Sequence, residues 1–181
     1  ALCGGLGSAL GAMVCRLTMG RKKYAEHEAE VVEIADKLLP AIDYLNRAIT
    51  LDSEAYNKVM NAFRLPKETD AEKAARNAAI GAASIEAATV PMSVAETALK
   101  AMHHIAPLVH IGNQNAITDM GVAVMCCRTA VLGACLNVRI NLGATGNEAA
   151  EQDLRDRAAA CEKEAIELSD ALYAEVSKIV G

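Results

Sequence analysis

Ile49-Thr50-Leu51-Asp52-Ser53-Glu54-Ala55-Tyr56 stands inside a helical pattern that runs from about residue 25 to residue 63. Its larger apolar side chains recur as Val31, Ile34, Leu38, Ala41, Leu45 and Ile49, then Tyr56, Val59 and Phe63. Steps of three and four residues put one helix face toward a core. The step after Ile49 lands on Asp52, so a carboxylate occupies a position the stripe reserves for an apolar group. A buried carboxyl group is pushed toward neutrality, which suits a general acid or base. The plainer alternative is a buried aspartate tied to a structural partner.

Working outward, the pattern is helical almost everywhere. Residues 1–19 form a glycine- and alanine-rich helix with Leu6, Leu10, Met13 and Leu17 as its stripe. Gly7 and Gly11 allow another backbone to approach it, and Gly20 ends it. Pro40 is expected to bend the long helix, and Leu65-Pro66-Lys67 to end it. Thr69-Asp70-Ala71-Glu72 has capping-box spacing and opens the next helix, which Pro91 is expected to divide or kink. Gly112-Asn113-Gln114-Asn115 signals a turn. A buried helix follows to about residue 142, and a last amphipathic helix covers about 148–179. No strand pattern, repeat or linker is legible. The expected class is all-α: one domain over residues 1–181, a multihelical array with a buried central helix and long amphipathic helices. The chain opens inside an apolar helix without Met, so its N-terminus reads as truncated.

Composition agrees. The 181 residues are 52% hydrophobic but only 3% aromatic, so alanine and other small residues carry the apolar content, as closely packed helices require. The net charge of −5 argues against bulk attraction to nucleic acid. Two stretches, 1–19 and 120–142, are apolar, but both carry arginine, so no membrane span is expected. The six cysteines include no CxxC pair and mostly lie in apolar stretches, as free thiols in a reducing, cytoplasmic protein do.

Three groups besides Asp52 are candidates for function. Asp119, Ala123, Cys127, Ala130, Ala134, Asn137 and Asn141 share one face of the 119–142 helix. Asn137 and Asn141 could bind a polar ring or satisfy a neighbouring helix. Asp119 lies in a first turn, where the dipole favours a carboxylate. Arg21-Lys22-Lys23 is the dense basic run, either a solvated helix end or a clamp for an anion, with Lys67 as a second cation. The histidines His103 and His110 read as structural, and no metal cluster is expected.

These motifs resemble a known family. Leu10-Gly11-Ala12-Met13-Val14 with Leu17-Thr18-Met19-Gly20-Arg21-Lys22-Lys23-Tyr24 is similar to the start of the cyclodeaminase/cyclohydrolase family of folate enzymes. Leu51-Asp52-Ser53-Glu54-Ala55-Tyr56 and Arg64-Leu65-Pro66-Lys67-Glu68-Thr69 resemble its central signature. Gly112-Asn113-Gln114-Asn115-Ala116-Ile117-Thr118-Asp119 and Leu136-Asn137-Val138-Arg139-Ile140-Asn141-Leu142 resemble its later ones. The family's Pro-Gly-Gly-Gly-Ser segment before the first helix is not in this sequence. The resemblance implies a helical homodimer acting on a tetrahydrofolate one-carbon adduct, with no further cofactor. It implies formimidoyltetrahydrofolate cyclodeaminase chemistry first, fed by a separate formiminotransferase domain, and methenyltetrahydrofolate cyclohydrolase chemistry as the alternative. A helical module without catalysis is a third possibility. The family's proposed catalytic carboxylate falls on Asp52. Candidate substrate-binding residues are then Arg21, Lys22, Lys23, Lys67, Asn115, Asp119, Asn137 and Asn141.

Overall fold

The computed structural model describes residues 1–181 and contains helices and turns without strands. The helices are α1 (Leu2–Thr18), α2 (Glu28–Phe63), α3 (Asp70–Ile105), α4 (Leu108–Ile111), α5 (Ile117–Ile140) and α6 (Glu148–Val180). Short 3-10 turns at Lys22–His27 and Gln114–Ala116 lead into α2 and α5. The capping box forms: Thr69 Oγ1 accepts the Glu72 N–H, and the Glu72 carboxylate accepts the Thr69 N–H. α2 runs through Pro40 and α3 through Pro91 as single helices, so Pro91 does not divide its segment. Packing from neighbouring helices overrides the one lost backbone bond.

Glycine and alanine set how the helices meet. α1 lies in the trough between α2 and α5, above α3. Its Gly4 sits against Leu45, Ala98 and Ala130, and Gly11 against Leu38 and Ile105. These pairings make α1 antiparallel to α2 and α5 and parallel to α3. A Cβ on Gly7 would come within 2.7 Å of the Ala123 carbonyl oxygen, so this glycine is what lets two helix backbones touch. The α1 stripe is therefore reversed from expectation. Gly4, Gly7, Gly11, Val14 and Cys15 are buried, while Leu6, Met13 and Leu17 face outward.

α2 departs from expectation for the same reason. Its buried side is Val31, Ile34, Leu38, Leu45, Ala48, Ala55 and Ala62, whereas Ile49, Tyr56 and Phe63 are exposed. α3 packs against it largely through small residues, with Ala83 and Ile80 meeting Ala62 and Val59 near the α2 end. α5 is also less enclosed than a central helix. Met120, Val124, Cys127, Val131 and Cys135 are buried, but Val122, Met125, Leu136 and Ile140 are open. Two stretches, Asp70–Ile111 and Gln114–Ile140, are long and apolar enough to cross a membrane; 56% and 50% of their apolar windows are covered by other helices.

α6 closes the bundle with arginine–carboxylate ion pairs and histidine–carboxylate contacts on its flanks. Arg157 meets Glu96 at 2.8 Å, His103 meets Glu164 at 2.7 Å and His110 meets Glu175 at 3.0 Å. Arg128–Asp170 and Arg139–Glu162 pair it with α5. Such exposed pairs orient more than they stabilise.

The loop before α6 carries a pH-sensitive contact. Thr145 Oγ1 donates to Glu151 at 2.7 Å and the Gly143 N–H donates at 2.9 Å. The Thr145 hydroxyl first, then the Gly143 amide, hold the Glu151 carboxyl below the usual carboxylate range. A depressed folded-state value means the contact stabilises when Glu151 is ionised and is lost as pH falls through that value. Thermal unfolding should therefore show wild type ahead of Glu151→Gln above about pH 4.5, with the gap closing in more acidic buffer. A gap that stays constant down to about pH 3 would exclude this contact as its origin.

Candidate active site

A cavity of about 450 Å³ opens at the N-terminal end of α1. It continues the trough between α2 and α5. α2 supplies Ile49, Asp52 and Ser53 to one wall, and α5 supplies Thr129, Gly133 and Asn137 to the other. Pro91 and Val94 of α3 form the floor, and Leu2 and Cys3 of α1 form the near end. Asp52 is the one charged side chain among the lining residues; no lysine or arginine reaches the walls.

Asp52 lines this cavity but is solvent-exposed, contrary to the expectation of burial. The stripe that placed it inward holds from Val31 to Leu45, but beyond that point the structure turns Ala48, Ala55 and Ala62 inward in place of Ile49, Tyr56 and Phe63. Within one chain, the cavity is open above the carboxylate.

The uncharged polar groups around it have defined hydrogen-bond states. Asn137 donates its Nδ2 to the Gly133 carbonyl at 2.9 Å. A carbonyl only accepts, so the amide nitrogen must face it and Oδ1 is left for a ligand donor. Thr129 and Ser53 each donate to a carbonyl one turn back, Met125 at 3.0 Å and Ile49 at 3.2 Å, and keep lone pairs free. Asn141 is committed to structure: its Nδ2 donates to Ala87 O at 3.1 Å and Asn137 O at 2.9 Å. It fastens the end of α5 to α3. Cys3, Ser53 and Thr129 were not singled out from sequence. Thr129, Gly133 and Asn137 follow at intervals of four, a strip along α5 that would have indicated one of the walls.

The remaining candidates lie elsewhere. Arg21, Lys22 and Lys23 are exposed just beyond the C-terminal end of α1. Arg21 Nε donates to Leu17 O at 2.7 Å, capping that end. Asn115 and Asp119 are at the same end, in the turn and first turn of α5. Buried Asn113 knits this region together: its backbone N–H donates to Thr18 Oγ1 and its Nδ2 to Leu17 O. The Gln114 N–H donates to Tyr24 Oη at 3.1 Å. This end lies a full α1 length from the Asp52 cavity, roughly 24 Å at the helical rise. Lys67 is apart from both, exposed in the loop after α2. The residue at the α2 end before that loop, Phe63, is already roughly 16 Å along the axis from Asp52. One chain thus brings together Asp52 and Asn137, with Asn141 behind them, and separates the cations from that cavity.

Comparison with known proteins now bears on this arrangement. The family model described as formiminotransferase-cyclodeaminase matches residues 1–160. The chain belongs to this family. It is 38% identical over 157 residues to methenyltetrahydrofolate cyclohydrolase of Methylorubrum extorquens, covering 86% of this chain and 76% of that enzyme. It is 31% identical over 137 residues to formimidoyltransferase-cyclodeaminase of Mus musculus, but spans only 25% of that protein's length. The fold matches the crystal structure of formiminotetrahydrofolate cyclodeaminase from Thermotoga maritima with a TM-score of 0.88 and 26% identity. That match covers 99% of this chain and 86% of the other. The chain is therefore an all-helical member of a folate-converting cyclodeaminase/cyclohydrolase family.

Proposed function

We propose that the chain transforms the one-carbon unit of a tetrahydrofolate in the α1-end cavity, with Asp52 as the proton-transfer group. The observation that carries this is a single carboxylate set among apolar and uncharged polar walls. We read the reaction first as methenyltetrahydrofolate cyclohydrolase. The 38% relative with that activity matches over most of its own length, which reverses the order that the sequence motifs alone suggested. Water adds to the methenyl carbon, Asp52 takes its proton, and N5 receives a proton as its bond to that carbon breaks. The product is 10-formyltetrahydrofolate, with one proton released. Cyclodeamination is the second reading, favoured by the Thermotoga maritima match. There N10 attacks the formimino carbon, Asp52 takes the N10 proton and delivers one to the departing ammonia. A carboxylate that moves a proton in each direction serves either course.

A spectrophotometric assay separates them. Loss of methenyltetrahydrofolate in excess of buffer hydrolysis supports the first reading. Its formation from 5-formimidoyltetrahydrofolate, with ammonia release, supports the second. No change in either assay removes the proposal. Under the second reading, a separate formiminotransferase supplies the substrate.

A homodimer is part of this reading. Leu2 is 67% exposed, Leu6 53% and Leu136 63%, and with Met13, Val122 and Met125 they form an apolar surface along α1 and α5. Large apolar side chains left uncovered in this number support an association surface. Light scattering should report twice the 19.0 kDa chain mass; a purely monomeric species at micromolar concentration contradicts it.

Folate's glutamate tail is anionic, and the exposed Lys22 and Lys23 are proposed to pair with it. Their neutralisation should raise KM, more for polyglutamylated than monoglutamyl substrate. The effect should shrink with salt, since exposed pairs are screened over roughly 8–10 Å. Equal KM values on both substrates would return these lysines to solvated surface.

A further inference from the structure

Gly133 is the one glycine that neither turn geometry nor close packing requires. Of the twelve in the chain, Gly20, Gly143, Gly146 and Gly181 take a positive φ, which glycine adopts readily. Seven others would set a new Cβ within 3.2 Å of a neighbouring atom, so tight contacts account for them. Gly133 does neither. It lies well inside α5 without a positive φ, and nothing stands within 4 Å of its would-be Cβ. Alanine is favoured over glycine in a helix interior, so this position gives up helix stability with no return in packing.

Gly133 forms part of the α5 wall of the cavity, with Asp52 on the α2 wall. At about 450 Å³ the cavity is in the size range of small-molecule sites. Bare helix backbone lets a flat ring approach closely, where a Cβ would hold it off. The next turn of the same wall suits the edge of such a ring. Asn137 Nδ2 is committed to the Gly133 carbonyl, so Oδ1 is turned out as an acceptor. A protein segment on this wall would instead have to bury that acceptor and the Asp52 carboxylate, which costs free energy unless both find partners. We infer that Gly133 is a specificity-determining residue: the fused bicyclic ring of the folate lies against the α5 backbone there, with an edge N–H donating to Asn137 Oδ1. This rests on the folate reading for the identity of the ligand. The hydrogen-bond roles choose between the two rings of that ligand. The bicyclic ring carries several N–H donors along its edge, whereas the nitrogen on the benzoyl ring, N10, is engaged in the chemistry.

The test is tetrahydrofolate binding, by isothermal titration calorimetry, to wild type, Gly133→Ala and Gly133→Val. Added methyl groups take the place of the ring, so Kd should rise about 10-fold for alanine and further for valine, the effect of overpacking a filled contact. The Tm of Gly133→Ala should hold or rise, which separates lost ligand space from a folding defect. Monoglutamyl and triglutamyl tetrahydrofolate should lose the same factor, because they share the ring. An unchanged Kd in Gly133→Ala overturns the inference. A lowered Tm overturns it too, since a protein segment would then occupy the space. So does a loss confined to the triglutamyl form, which would put the tail across Gly133. In a crystal structure of the tetrahydrofolate complex the bicyclic ring should lie about 4 Å from Gly133 Cα, and the benzoyl ring in that place would overturn the assignment. If wild type neither binds tetrahydrofolate nor converts its one-carbon derivatives, the folate reading fails and the ring assignment falls with it. If wild type does both and the Gly133 variants match it, the ring assignment alone fails.

Discussion

Asp52→Asn lowers kcat by about 100-fold or more while the helical fold stays intact. The substitution keeps size and shape and removes the ability to take and return a proton. The side chain is exposed and makes no hydrogen bond to the rest of the chain that the fold depends on, so stability should scarcely change. That combination is informative, because a folding defect would lower activity and Tm together. Asn137→Ala is the useful companion. It removes a polar group from the opposite wall that the chemistry does not require for proton transfer, so it should act mainly through KM. Wild-type kcat in Asp52→Asn would remove the carboxylate from the mechanism and leave the cavity as a binding site.

Gly7→Ala destabilises the protein by about 3 kcal/mol, the upper part of the range for overpacking a close-packed contact. Its new Cβ would lie 2.6 Å from Cys127 Sγ and 2.7 Å from the Ala123 carbonyl oxygen. Cys127 is fully buried and the oxygen is backbone, so neither can move without shifting α1 away from α5. For a chain of this length that corresponds to a drop of roughly 6–12 °C in Tm. Gly133→Ala is the opposite case on α5. Nothing lies within 4 Å of its would-be Cβ. Ala is favoured over Gly in a helix interior by up to about 1 kcal/mol, so Tm should hold or rise. Equal Tm values for the two variants would mean that α1 and α5 are not in backbone contact at Gly7.

Burial also sorts the thiols. It pushes Cys15 and Cys135 up to about 11 and Cys127 up to about 12, so these three are inert small hydrophobes, in keeping with their apolar sequence setting. Cys3, at the cavity, is the exposed one.

The helical class, the order of the helices and most of their ends are readable from the amino-acid order alone. Those features are local. The Thr69–Glu72 box, Gly20 at a φ of +70° and the Leu65-Pro66-Lys67 break act within a few residues of themselves, so they are legible without knowing what packs where. The amino-acid order also marked Asp52, through the motif around it and the interruption of a stripe. Which side of α1, and of the second half of α2, faces inward came from the packing alone, whereas the inward faces of α6 and of the Ala123–Ala134 strip of α5 were readable from their spacing. Large apolar residues usually mark the core, but α1, α2 and α3 approach so closely that glycine and alanine occupy their contacts. Leu2, Leu6 and Leu17 of α1, and Ile49, Tyr56 and Phe63 of α2, are displaced to the surface. That inversion exposed Asp52 at a cavity rim. It also left an apolar face along α1, and it set the basic run and the carboxylate at opposite ends of the same helix. No reading of period could reveal this, because the distance between two helices is a property of the pair.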